Sequence, residues 1–173
     1  MATLVLTVIG DDRAGLVSAL ADVIAEHGGG WGRSQLTELA GKFAGIVLVD
    51  VPQSNVAALT AALEPLEGVL DTTVHEVAEP KAGVALAPLH LELVGNDRPG
   101  IIREISTVLA DHEVSIGELD SRTTSAPMAG GQLFEVSATV HPSADTELDS
   151  LRSALEELAG ELMVDISLEG TQR

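Results

Sequence analysis

Gly10-Asp11-Asp12-Arg13-Ala14-Gly15 decides how this chain is read, because the chain contains it twice. It returns as Gly95-Asn96-Asp97-Arg98-Pro99-Gly100, displaced by 85 positions. Each copy follows an alternating apolar run, Leu4-Val5-Leu6-Thr7-Val8-Ile9 or Leu89-His90-Leu91-Glu92-Leu93-Val94, and each precedes a segment with helical periodicity. A turn of this kind between strand and helix presents backbone N–H groups at the positive end of a helix. That is a suitable place for the carboxylate of a small ligand. The same residues also have a purely structural use, with Asp12 and Asp97 capping their helices and the glycines permitting the turn. The two uses are compatible.

The repeat extends well beyond the turn. Leu4, Leu6 and Val8 lie on one strand face and match Leu89, Leu91 and Leu93. The following helix carries Leu16, Val17, Leu20, Val23 and Ile24. At the same displacement stand Ile101, Ile102, Ile105, Val108 and Leu109, and His27 meets His112 near the helix end. After Gly28-Gly29-Gly30-Trp31-Gly32 the chain enters a second strand over residues 31–39, matched by 114–123. Third strands follow at 43–51 and 133–141. The first return is a short turn at Gly41; the second, residues 124–131, is longer and is expected to be mobile. Aligning Pro52 with Pro142 takes a displacement of 90, which predicts five extra residues in the second hairpin. Val56, Leu59, Leu63 and Leu66 then share their spacing with Leu148, Leu151, Leu155 and Leu158, so both stretches are amphipathic helices. Final strands are expected near 70–77 and 163–168.

Each unit therefore reads as strand–helix–strand–strand–helix–strand, an α+β, ferredoxin-like (βαββαβ) arrangement. Each has an antiparallel four-stranded sheet with two helices on one face. The units span residues 1–77 and 89–173. Between them the proline-containing stretch 78–88 reads as a linker. The second unit alternates cleanly along its third strand, with Phe134, Val136 and Ala138 inward and Glu135, Ser137 and Thr139 outward. The first does not: Ile46-Val47-Leu48-Val49 is apolar on both faces, and Val5 and Ile9 repeat the pattern. This predicts that the first unit covers its second sheet face, or its sheet edge, against the other unit or another chain.

Composition narrows the function classes. The formal charge is −18, from 27 acidic and 9 basic side chains. Neither the number nor the clustering of Lys and Arg suits a phosphate backbone, and with no Tyr, one Trp and two Phe there is no base-stacking platform. Direct nucleic-acid binding and association with anionic membranes are not expected. The chain has no cysteine, which removes thiol nucleophiles and zinc–thiolate sites. No secretory signal and no apolar run of membrane-spanning length is visible, which predicts a soluble, cytoplasmic protein. The five histidines lack metal-ligand spacing, so no metal site is expected. No nucleophile turn and no phosphate loop occurs. The expectation is no catalytic residue, no cofactor and no enzyme.

Two ferredoxin-like units with this turn after the first strand resemble tandem ACT domains. Gly95-Asn96-Asp97-Arg98-Pro99-Gly100-Ile101-Ile102 is close to the family's turn, in which Asp-x-Pro-Gly opens the first helix. Gly10-Asp11-Asp12-Arg13-Ala14-Gly15-Leu16-Val17 departs by having Ala14 for proline, which lowers pre-organisation of the turn. In length and tandem arrangement the chain is most similar to the glycine cleavage system transcriptional repressor family. The resemblance implies sensing of a small amino acid such as glycine, bound near the turn at a domain or subunit interface. It further implies a homo-oligomer and control of a partner transcription regulator by protein contact.

Carried onto this sequence, the ligand-contacting candidates are Asp11, Asp12, Arg13, Ala14, Gly15 and Leu16. In the second unit they are Asn96, Asp97, Arg98, Pro99, Gly100 and Ile101. Asn96 and Asp11 could receive an ammonium group or satisfy their own backbone in an Asx-turn. Arg13 and Arg98 could clamp a carboxylate or pair with a nearby acid. Trp31 could wall a pocket, anchor an interface or belong to the core. The alternative to a sensor is an interaction module that binds no ligand.

Overall fold

The computed structural model describes residues 1–66, 68–77, 86–125 and 131–170. It divides into two compact units, Met1–Lys81 and Ala82–Arg173. Most of the expected linker, residues 78–85, and residues 126–130 of the long hairpin return lie outside the described residues.

Unit 1 runs β1 (Ala2–Asp11), α1 (Leu16–Glu26), β2 (Gly30–Leu39), β3 (Lys42–Val51), α2 (Val56–Leu63) and β4 (Asp71–Glu76). Unit 2 runs β5 (Leu89–Asn96), α3 (Ile101–Asp111), β6 (Val114–Ser125), β7 (Gln132–Pro142), α4 (Leu148–Leu162) and β8 (Val164–Gly170). The sheets have orders β2-β3-β1-β4 and β6-β7-β5-β8, with every pairing antiparallel. This is the ferredoxin-like topology twice over. The α2 segment is shorter than its counterpart α4 and continues as a 3-10 turn through Glu64–Leu66.

The period-2 alternation sends Leu4, Leu6 and Val8 of β1 and Val47, Val49 and Val51 of β3 into the unit 1 core, beneath Leu16, Leu20 and Ile24 of α1 and Leu59 and Leu63 of α2. The unit 2 core repeats this with Leu89, Leu91, Leu93, Val136, Ala138 and Val140 under Ile101, Ile105, Leu109, Leu151 and Leu155. Burying each such side chain contributes about 1.5–3 kcal/mol. Val17 stands one position past Leu16, on the flank of α1, and remains 44% exposed. Trp31 is half-buried against the unit 1 core, and its indole N–H donates to Ser34 Oγ at 3.3 Å.

Sheet register corrects the count of extra residues. Leu4 pairs with Val49 and Leu89 with Val140, so positions displaced by 85 on the first strand are displaced by 91 on the third. Six residues, not five, are added in the second hairpin. The prolines mislead because Pro142 is the last residue of β7 whereas Pro52 lies just past β3. An offset of one residue would have turned every side chain of β7 to the wrong face. A β-bulge recurs at the matched point of both second strands, between Trp31 and Ser34 and between Ile116 and Glu118.

His27 and His112 keep a common role. Each closes its helix by placing Nδ1 against a carbonyl four residues back, Val23 at 2.8 Å and Val108 at 2.9 Å. Each contact lies in the last turn of its helix, where carbonyl groups run short of backbone donors, although Val108 O also accepts the His112 N–H at 3.3 Å.

Candidate functional site

The two Gly-Asx-Asp-Arg-x-Gly turns stand at the same place in their units, between the central first strand and the first helix. Their glycines are required by the fold for two different reasons. Gly15 and Gly100 cap α1 and α3 in the left-handed region, with φ of 93° and 100°. Side chains other than glycine's meet the following carbonyl there. Gly10 and Gly95 are needed for close approach. A Cβ on Gly10 would land on the carbonyl oxygen of Val69, and one on Gly95 would run into the side chain of Val164. Val69 lies two residues before β4, and Val164 is the first residue of β8.

The expected aspartate caps do not form. The capping residues are Gly15 and Gly100, and neither helix has a side-chain cap hydrogen bond. Asp12 and Asp97 instead hold the turn through their backbone: Asp12 N–H donates to Gly41 O at 2.9 Å, and Asp97 N–H to Gln132 O at 2.9 Å. Each turn is thereby tied to the following hairpin, while the carboxylates of Asp12 and Asp97 remain exposed. Gly15 O and Gly100 O accept the first helical hydrogen bonds, from Ala19 N–H at 2.9 Å and Glu104 N–H at 3.0 Å. The N–H groups just before these have no intrahelical acceptor, as at any helix start.

The remaining candidates separate by unit. Leu16 and Ile101 are buried core residues, 4% and 2% exposed, so only their backbone N–H groups belong to the turn. Asp11 pairs with Lys42 of β3, which donates to its carboxylate. That hydrogen bond and the lysine charge, with a smaller contribution from Arg13, hold the Asp11 carboxyl below its ordinary pKa. Register places Leu133 at the position matching Lys42, so Asn96, which matches Asp11, has no such cation opposite it. Arg98 donates to Glu104 Oε2 at 3.1 Å, and Glu104 lies in the first turn of α3. Glu104 thus brings a carboxylate to the positive end of its own helix. The matching residue in α1 is Ala19, and Arg13 has no ion-pair partner among the described residues. The two turns share a backbone but not an electrostatic state.

Nothing in the sequence pattern pointed to Lys42, 31 positions from its partner, or to Glu104 as an occupant of the second turn. The described residues contain no group of three or more His, Cys, Asp or Glu placed to hold a metal, and no helix long and apolar enough to cross a membrane.

Family models for the ACT domain match residues 2–76 and 90–159. The chain belongs to the ACT-domain family. Its two ACT domains account for both turns, and both sheets have the family's ferredoxin-like form. Along nearly its whole length the tandem ACT-domain chain is similar to the glycine cleavage system transcriptional repressor of Escherichia coli (strain K12). The two are 26% identical over 163 residues, covering 92% of this chain and 85% of the relative. Among solved structures it is similar to an unknown protein from Galdieria sulphuraria, at 27% identity and a TM-score of 0.88, over 99% of each chain. A structure assigned as a glycine cleavage system transcriptional repressor matches at 17% identity and a TM-score of 0.72, over 99% of this chain and 98% of that one, and it shares the fold.

Proposed function

We propose that this chain is an amino-acid-sensing regulatory protein that controls a partner protein, a transcription regulator, by contact and without binding DNA itself. The observation that carries the reading is the pair of ACT domains spanning a chain whose relative along 92% of its length is, by name, a transcriptional repressor. A charge of −18 is consistent with action through a protein and unsuited to a phosphate backbone. The ligand class is a small amino acid such as glycine, with the turns as its site. Helix-start N–H groups receive the carboxylate. In the second turn the amide oxygen of Asn96 receives the ammonium; in the first, Asp11 is already paired with Lys42, and the exposed carboxylate of Asp12 takes the role expected of Asp11. Of the two turns, the first is the more receptive, since Arg13 has no ion-pair partner there among the described residues and Ala19 stands where Glu104 places a carboxylate in the second. A binding preference of about 1–3 kcal/mol for one packing over another is enough to pass a signal.

Calorimetric titration with glycine, serine and the remaining proteinogenic amino acids tests the reading. One saturable ligand at one site per chain is expected, with Glu104→Ala raising the number of sites toward two. Silence across the panel overturns it. The chain is then an interaction module whose turns only build the fold, a role that the structural demands on all four motif glycines already favour.

A further inference from the structure

The two sheets offer an internal comparison, because each outward position of one has a register-matched position in the other. Where unit 1 has Val5, Ala44, Ile46 and Leu48, unit 2 has His90, Glu135, Ser137 and Thr139. Thr7 likewise matches Glu92. Across the unit 2 sheet the outward face also carries Asp120, Asp165 and Glu169, and Arg122 pairs with Glu135 at its centre. That is the surface of a solvated antiparallel sheet. The unit 1 face has an uncharged centre, with Ile46 46% exposed, in a chain of net charge −18, while Ile9, opposite Asp71 at one end, is matched by the apolar Val94 in unit 2. A concavity lined by Val5, Ile46 and Leu48 opens there, beside Arg33 and Ser34 at the bulge.

We propose that the open face of the unit 1 sheet is a self-association surface, covered by the same face of a second copy of this chain. Chemistry selects the occupant. The open face of the unit 2 sheet is the wrong partner, because its carboxylates would lose water against Ile46 and Leu48 and gain no hydrogen bond. The same face of another copy brings an apolar centre to an apolar centre. Two twisted sheets stack this way at about 10 Å, and a two-fold axis closes the contact so that it does not propagate. The sheet plane alone supplies most of the area that a specific interface needs. Four strands about 4.8 Å apart and about six residues of each give roughly 400 Å² of sheet plane per copy. The pair covers roughly 800 Å² before side-chain relief is added, and specific interfaces begin near 1,000–1,200 Å². This inference concerns assembly and stands whether or not the turns bind an amino acid.

The test is sedimentation equilibrium of the full chain without added amino acid, compared with the triple variant Ala44→Glu, Ile46→Ser, Leu48→Thr. These are the residues unit 2 carries at the same register, so the fold already tolerates them. A dimer is expected for the parent chain, and a dissociation constant about tenfold or more weaker for the variant at unchanged far-UV circular dichroism. Because the chain has no cysteine, Ile46→Cys supplies a second measurement: it should oxidise to a cross-linked dimer while Val94→Cys, on the matched face of unit 2, stays free. A monomeric parent chain across the micromolar range overturns the proposal. So does a dimer that survives the triple variant, or equal cross-linking of the two cysteine variants; either places the contact elsewhere.

Discussion

Replacing Gly10 by alanine should destabilise unit 1 by about 1.5–2.5 kcal/mol with no ligand present. The new methyl group would meet the Val69 carbonyl oxygen, with Leu70 Cα at 3.3 Å and Leu70 Cδ1 at 3.4 Å. That carbonyl cannot swing away as a side-chain end does. The segment is pinned by Val69 N–H and Leu70 N–H, which both donate to Leu66 O, at 2.9 and 2.7 Å. Relief requires β1 and β4 to part near the Ile9–Asp71 end of their ladder. Overpacking costs about 1–3 kcal/mol, and a backbone obstacle puts this case at the upper end, about 2–3. Alanine returns about 0.5 kcal/mol by restricting the unfolded chain. In a unit of this size the net loss lowers the midpoint of thermal unfolding by about 6–20 °C. Calorimetry of the variant would show the unit 1 transition moved and the unit 2 transition in place. A shift below about 2 °C would refute the close-approach argument. Gly15 provides the contrast, since a Cβ there meets nothing within 4 Å. Its cost in alanine is conformational, about 1–2 kcal/mol, and Gly15→Asn should recover part of it because asparagine visits the left-handed region more readily.

Leu59 and Leu151, at matched positions of α2 and α4, are both fully buried, and either changed to alanine should cost about 2–5 kcal/mol in denaturant unfolding. A loss under about 1 kcal/mol at either would mean that the core closes differently there. Lys42→Met should return the Asp11 carboxyl toward its ordinary 3.8, followed by NMR titration of its side chain. In the parent chain the folded-state value is the depressed one. The small stabilisation from the pair is therefore present above the unfolded pKa and lost as pH falls through the folded one, on the acid side of about pH 4. Both partners are exposed, so stability at neutral pH should barely change, and an Asp11 pKa unmoved in the variant would show that Lys42 is not the cause.

Much of the fold was legible because its signals are local. Strand alternation and helical spacing placed the eight strands and four α-helices of the described residues, with ends differing by a few residues, as at residues 70 and 169–170. The 85-residue displacement holds through the second strand of each unit, and it makes His27 and His112 equivalent, as their shared carbonyl contact bears out. The errors arose where a landmark substituted for packing. Pro52 and Pro142 were aligned as points on the chain, yet pleat and register set the true offset. Apolar identity alone does not fix burial, since Val17, next to Leu16, is turned about 100° around the helix axis from it. The candidate site was found as a stretch of chain, but the aspartate caps assumed for it were displaced by left-handed glycines.

The sequence by itself determined a tandem βαββαβ chain with two homologous turns, since periods of 2 and 3.6 and the placement of glycine act over a few residues at a time. Tertiary structure alone decided how those turns differ. Lys42 reaches Asp11 only when β3 lies beside β1, and Arg98 and Glu104 meet only when the turn folds over the start of α3. It also separated the motif's glycines into two that must bend and two that must let a neighbouring strand approach. The Lys42–Asp11 contact joins residues 31 apart and depends on closure of the sheet, which no local pattern encodes, whereas Arg98 and Glu104, six apart, need only the fold of the turn itself.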